Sequence, residues 1–168
     1  IKTSAVKPEY RRIDAPAGVV DTPQALNRLH RSGALPHDFV AVVRFQGPRA
    51  NGMPELHSLA PLLGMLQNQG RRVALVTDGR LSGASGKFPA AIHVTPEAAR
   101  GGPLARLRDG DRILLDGETG TLEAIVDPAE WSARELAIDT APAGSDLGRN
   151  LFAFNRRNVG PADQGALS

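Results

Sequence analysis

Two short apolar runs, "DFVAVVRF" over residues 38–45 and "RVALVT" over residues 72–77, constrain the fold of this chain more than any other feature. Both are rich in β-branched residues, and each predicts a strand buried in a sheet. Between them Leu56, Leu59, Leu62, Leu63 and Leu66 fall at helical spacing, with Pro61 starting or kinking the helix and Gly70 ending it. Strand, helix and strand in this order predict a right-handed crossover that joins two parallel neighbours. The chain is therefore expected to be α/β, with the loops that follow both strands facing one edge of the sheet.

The flanking sequence fills in the rest. Residues up to Val20 read as an extended strand and loop. "DTPQALNRLHRSG" predicts a helix with Asp21 or Thr22 as N-cap, Pro23 in the first turn, Gly33 as a stop, and Ala25, Leu26 and Leu29 on its apolar face. "AAIHVT" predicts a third strand with His93 as a satisfied core histidine, and "PEAARGG" a short helix stopped by glycine. "DRILLDGETGTLEAIV", residues 111–126, predicts a hairpin turning at Gly117–Gly120. "DPAEWSAREL" predicts a helix capped by Asp127, with Pro128 in its first position and Glu130 three residues after the cap. From Ala141 onward Gly, Asn, Asp and Pro dominate, "LFAF" is the one apolar anchor, and the end reads as a frayed tail. A hairpin beside parallel strands makes the sheet mixed, and it is expected to curl toward a barrel.

Composition excludes several classes. The 168 residues suffice for one domain with a core. With 20 basic and 18 acidic residues the net charge is only +2. There is no basic block, and the single Trp and single Tyr lie far apart, so no nucleic-acid partner is expected. No apolar run is long enough to span a bilayer and no signal-peptide pattern is present, so no membrane partner is expected either. The chain has no cysteine, which excludes disulfides and any thiolate-held zinc or iron–sulfur cluster within it. Its opening, "IKTSAVKPEY", reads as the middle of a longer polypeptide.

The loop "VTDGRLSGASGKFP", residues 76–89, looks built to hold a ligand. It fails as a P-loop, because Leu81 stands where the first glycine is needed and Phe88 where the magnesium-binding Ser or Thr is needed. It fails as a dinucleotide fingerprint at the same Leu81. It fails as a nucleophile elbow, because Arg80 and Ala84 flank Ser82 where glycines belong. What remains is a loop at the carboxyl end of a buried strand, with hydroxyls, cations and N–H groups over residues 83–86 suited to an anion. The loop Gln46 to Glu55 follows the neighbouring strand. The two loops would together offer Arg49, Asn51, Glu55, Asp78, Arg80, Ser82, Ser85 and Lys87 to a small, oxygen-rich, anionic substrate.

The same stretches carry a family resemblance. "VALVTDGRLSGASGKFPAAIHVTPEA", preceded by "VVRFQGPRANGMPEL" and followed by "LRDGDRILLDGETGTLEAIV", resembles the carboxyl-terminal domain of the dihydroxyacid/6-phosphogluconate dehydratase family, and "SGASGK" with "PAAIHVTPEA" is similar to its 6-phosphogluconate branch. The resemblance implies a swivelling β/β/α domain over residues 1–145, a mixed barrel-like sheet flanked by helices, with a tail over 146–168. It implies a hydro-lyase of the Entner–Doudoroff pathway that turns 6-phosphogluconate into 2-dehydro-3-deoxy-6-phosphogluconate, cytoplasmic and homodimeric when full length. The 4Fe-4S cluster would be held by an amino-terminal domain outside this chain, so this chain alone is expected to be inactive.

Residue by residue, the resemblance makes Ser82 the proton-abstracting base and Glu55 a ligand of Mg2+. The dihydroxyacid branch often has Glu where this chain has Gln46. The 6-phosphate would be met by Arg49 with Asn51, or by Ser85 with Lys87, and Arg80 stands beside the base. Each residue also has a plainer reading. Ser82 can cap its own turn, Glu55 can be a first-turn helix acid, and Arg80 and Lys87 can be solvated loop charges. Asp78 reads as a turn or cap residue. A dehydratase for another sugar acid or dihydroxy acid, or a non-catalytic ligand-binding module on the same fold, are the alternatives.

Overall fold

The computed structural model describes residues 1–82, 86–140 and 151–167. Among them, strands β1 (Arg12–Val20), β2 (Phe39–Val43), β3 (Val73–Thr77), β4 (Ala90–Ala91), β5 (Arg112–Asp116) and β6 (Thr121–Ile125) form one mixed sheet in the order β4-β3-β2-β1-β5-β6. Helices α1 (Pro23–Arg31), α2 (Pro48–Asn51), α3 (Ala60–Asn68), α4 (Pro128–Ala133) and α5 (Ala153–Asn158) flank it. β1 to β4 pair in parallel, and β5 and β6 add antiparallel ladders. β1 is shared between two ladders: Arg12 to Pro16 pair with β5 and Ala17 to Val20 with β2. That handover lets the sheet curl into a half-barrel.

The two apolar runs are buried on both faces, as their lack of polar alternation requires. Phe39, Ala41 and Val43 pack with Leu26 of α1 and with Leu62, Leu63 and Leu66 of α3. Val40 and Val42 point the other way, into a cluster with Ile13, Leu107, Ile113 and Leu115. The helix signals hold for local reasons. Thr22 Oγ1 accepts the Ala25 N–H at 3.1 Å, and Asp127 accepts the N–H groups of Ala129 and Glu130 at 2.9 and 3.0 Å. The hairpin turns where the glycines predict, with Asp116 accepting the Glu118 N–H at 2.9 Å.

Several expectations are corrected. The third strand is only Ala90–Ala91, because the chain then turns: His93 sits at φ 55, and its N–H bonds to Gly79 O at 2.9 Å instead of to a strand. His93 is consequently exposed and not a core histidine. The loop Gln46 to Glu55 contains α2. The "LFAF" segment does not anchor the tail, since Leu151, Phe152 and Phe154 are 75%, 53% and 67% exposed. The described residues 151–167 are held by other contacts: α5 packs on α2, the Arg100 guanidinium donates to Val159 O, and Thr95 Oγ1 bonds Asp163 at 3.1 Å. No helix among the described residues is long and apolar enough to cross a membrane.

Buried Arg134, at the end of α4, fastens that helix to the base of the hairpin. Its guanidinium donates to both oxygens of Asp111 and to Glu130. Burial pushes the Asp111 carboxyl up, but the Arg134 hydrogen bond and charge outweigh it and hold it below the usual carboxylate range. A depressed carboxylate stabilises the fold above that range and loses the contribution as pH falls through its own lowered value. Arg134→Met should therefore cost about 1.5–3 kcal/mol near neutral pH, since it removes the charged hydrogen bonds of the half-buried Asp111 carboxylate. Urea unfolding read at several pH values should show this deficit shrinking at acid pH.

Candidate functional site

β2 and β3 end side by side, with Val43 opposite Thr77, so the loops beyond them leave the same sheet edge. Asp78, the next residue, binds those loops together. It is fully buried, and its carboxylate accepts the N–H groups of Phe45 at 3.2 Å, Gln46 at 2.8 Å and Ala98 at 2.9 Å. Burial raises its pKa above the ordinary range, the Ala98, Gln46 and Phe45 bonds oppose the rise, and the Glu97 charge adds to it. Phe45 has φ 61, a conformation unusual for a bulky residue, and Asp78 holds the turn there. The plainer reading of Asp78 as a turn residue is the one its contacts support.

Glu97 does similar work one turn away. Buried, it accepts the N–H groups of Arg49 at 2.9 Å and Ala50 at 3.0 Å, the unpaired donors that open α2, and pairs with Arg100 at 3.6 Å. Gly47 caps α2 because nothing larger fits: a Cβ there would lie 2.4 Å from Glu97 Oε2. Gln46, buried between the loops, donates to Asp21 O at 2.8 Å and accepts from the Asn51 amide at 3.1 Å. Gln46 and Asn51 thus brace the rim against β1, and the Arg49 side chain is left exposed on α2.

Of the expected site residues, Glu55, Arg80 and Ser82 come together. Glu55 and Arg80 form an isolated parallel bridge, and Leu56 N–H donates to Arg80 O at 3.1 Å. Glu55 Oε1 then accepts the Ser82 N–H at 2.8 Å, and Arg80 Nε donates to Met53 O at 2.8 Å. All three residues are exposed at one rim. Lys87 is exposed on the α3 side of the loop. Its carbonyl accepts from the Gln67 amide at 2.9 Å, and it borders a hollow of about 700 Å³ with Ala5, His57, Ala60 and Gly64. Ser85, and with it most of the expected N–H concavity, lies outside the described residues.

The residues present do not make a metal centre by themselves. The chain has no cysteine, and among the described residues no three His, Asp or Glu side chains gather to hold an ion. Glu55 contributes one carboxylate, far short of the six oxygens Mg2+ takes, and an iron–sulfur cluster has no ligand here.

Residues 1–166 match the family described as dihydroxy-acid/6-phosphogluconate dehydratase, C-terminal. The chain belongs to this family. It is 58% identical over 170 residues to phosphogluconate dehydratase of Pseudomonas aeruginosa, which it matches over 100% of its own length. It is 53% identical, over 99% of its length, to the enzyme of the same name from Escherichia coli K12. It is 44% identical, over 82% of its length, to dihydroxy-acid dehydratase of Solidesulfovibrio magneticus. The chain spans 28% of the length of the Pseudomonas and Escherichia relatives and matches their carboxyl-terminal part.

Two side chains that hold these loops lie far from them in sequence. Glu97 reaches α2 from 47 or 48 residues away, and Lys2 reaches the Ser82 loop from 84 residues away at Gly86. The signal for Glu97 is Gly47 ahead of Pro48, a helix start without its own side-chain cap. In this dehydratase domain Asp78→Ala should leave three buried N–H groups unpaired, at about 1–3 kcal/mol each. A loss of about 3 kcal/mol or more by chemical denaturation is expected, whereas a cost near zero would show that water replaces the carboxylate.

Proposed function

We propose that this domain supplies the proton-abstracting serine, Ser82, to a 6-phosphogluconate dehydratase whose remaining parts lie outside the chain. The observation that carries the reading is the clamp of Glu55 on the Ser82 N–H, at the edge where two parallel strands end. It fixes the backbone of the serine and leaves the residue exposed to a substrate arriving from outside the domain. The relatives named phosphogluconate dehydratase favour this substrate over other dihydroxy acids, since they match nearly the whole chain at up to 58% identity.

A serine hydroxyl has a pKa far above the operating pH, so it takes a proton only as an alkoxide or in concert with a cation that stabilises one. Arg80 stands two residues away at the same exposed rim and supplies positive charge. In the reaction the C2–H bond breaks, with its proton going to Ser82 Oγ. The C3–OH bond breaks and the hydroxyl leaves as water, taking a proton from an acid assigned to the remaining parts of the protein. The resulting enol becomes the keto product by losing its C2 O–H proton and gaining a proton at C3. In the full-length protein Ser82→Ala should lower kcat by about 10²–10⁴-fold and leave KM nearly unchanged, because a base acts on the transition state. Steady-state kinetics that retain most of kcat would reduce Ser82 to a turn residue.

The 6-phosphate is assigned to Lys87 and the adjoining Ser85, with Arg49 and Asn51 as the second pair. The hollow beside Lys87 supports this order, since it offers space next to the ammonium, between the end of the loop and α3. Lys87→Met should raise KM for 6-phosphogluconate by an amount equal to a charge-assisted hydrogen bond, about 1.5–3 kcal/mol. Any turnover of unphosphorylated gluconate should hardly change. An equal loss on both substrates would move Lys87 to the reacting end.

A further inference from the structure

The loop that carries Ser82 is held at both ends by charged side chains from elsewhere in the chain. At its start Glu55 takes the Ser82 N–H at 2.8 Å. At its end the Lys2 ammonium donates to Gly86 O at 3.3 Å. Lys2 itself is fixed by a two-bond antiparallel bridge to β4: its N–H donates to Ala90 O at 2.7 Å, and its carbonyl accepts the Ala90 N–H at 3.2 Å. The chain just past the loop is equally constrained. Gly86 has φ 75 and no room for a side chain, since a Cβ would lie 2.4 Å from the Phe88 ring, and Phe88 is fully buried.

Position alone does not explain the charge. A lysine that bonds a neutral carbonyl from a half-buried position gives up hydration, and among the described residues Lys2 gains no salt bridge in return. Burial accordingly pushes the Lys2 ammonium down, and the charge of Glu55 pulls it back up. Glu55 and Lys2 thus act on opposite ends of one loop, at the Ser82 N–H and at the Gly86 carbonyl. A lone carboxylate beside Ser82 would disfavour both an alkoxide there and an anionic substrate, by Coulomb repulsion at short range. A cation fixed at Gly86, on the other end of the loop, offsets part of that repulsion.

We infer that Lys2 is a positioning residue of the Ser82 loop, holding its far end at Gly86 and balancing the Glu55 charge at its near end. The inference rests on Ser82 being the base, and the test separates the two. In the full-length protein, Lys2→Met, Lys2→Gln, Lys2→Arg and Ser82→Ala are compared by steady-state kinetics with 6-phosphogluconate, by thermal unfolding, and by hydrogen exchange of the peptide over residues 82–88. Lys2→Met should lower kcat by about tenfold or more while KM stays within about threefold, the signature of a lost transition-state contribution. It should speed exchange over 82–88 and leave the melting temperature near that of the parent, and Lys2→Arg should recover most of kcat. Lys2→Gln keeps a donor for Gly86 without the charge, so its kcat should fall below that of the arginine variant. It decides the matter if the methionine variant does not fold. Unchanged kcat in Lys2→Met or Lys2→Gln, unchanged exchange in Lys2→Met, or failure of arginine to rescue would overturn the role. If Ser82→Ala retains kcat, the base assignment falls, and the exchange measurement still decides whether Lys2 holds the loop.

Discussion

Everything at the functional edge of this domain depends on one buried carboxylate. Asp78 sits where β3 ends and accepts three backbone N–H groups from two other segments, the turn after β2 and the turn at Ala98. Burying a charge is costly unless it is hydrogen-bonded, and a carboxylate with three short N–H contacts meets that condition. The result is that the loops are tied to one another at the level of their backbones. A hydrophobic residue in the same place would pack, but it would leave three donors unpaired and the turn at Phe45, with φ 61, unsupported.

From Asp78 the polar frame spreads outward. Ala98 is held by Asp78, and its neighbour Glu97 caps the start of α2. α2 presents Asn51 to Gln46, and Gln46 reaches back to the end of β1 at Asp21. On the other side Glu55 pairs with Arg80 and reaches Ser82. Apart from the backbone bridge between Glu55 and Arg80, each link is a side chain that satisfies backbone groups or another side chain across a gap in sequence. Polar networks of this kind fix geometry when every member is satisfied. They let an exposed serine stand on a defined backbone, as the role proposed for Ser82 requires.

Much of this architecture is legible in the order of residues. The two apolar runs announce buried parallel strands because strands covered on both faces cannot alternate polar and apolar residues. The caps at Thr22 and Asp127 and the hairpin glycines are equally plain, since a cap or a turn is settled within a few residues. The convergence of the Glu55 and Ser82 loops follows from the parallel pairing alone. "AAIHVT" misleads because its composition suits a strand, whereas His93 bonds Gly79 in the neighbouring loop and the ladder stops at Ala91. "LFAF" misleads because apolar character signals a tendency to be buried and does not say against what, and in this domain those residues stay exposed.

The sequence by itself thus determined the elements, their parallel order and the motif-bearing loops, because those depend on periodicity and on turn chemistry within a short window. Tertiary structure alone decided which charges serve the loops. Lys2 at Gly86, Glu97 at α2 and Asp78 at Ala98 are joined across 84, 47 and 20 residues respectively. Such contacts form only when the sheet has already brought the segments within hydrogen-bonding distance. Their energy lies in burial and in the pairing of donors with acceptors, which no local pattern of residues encodes.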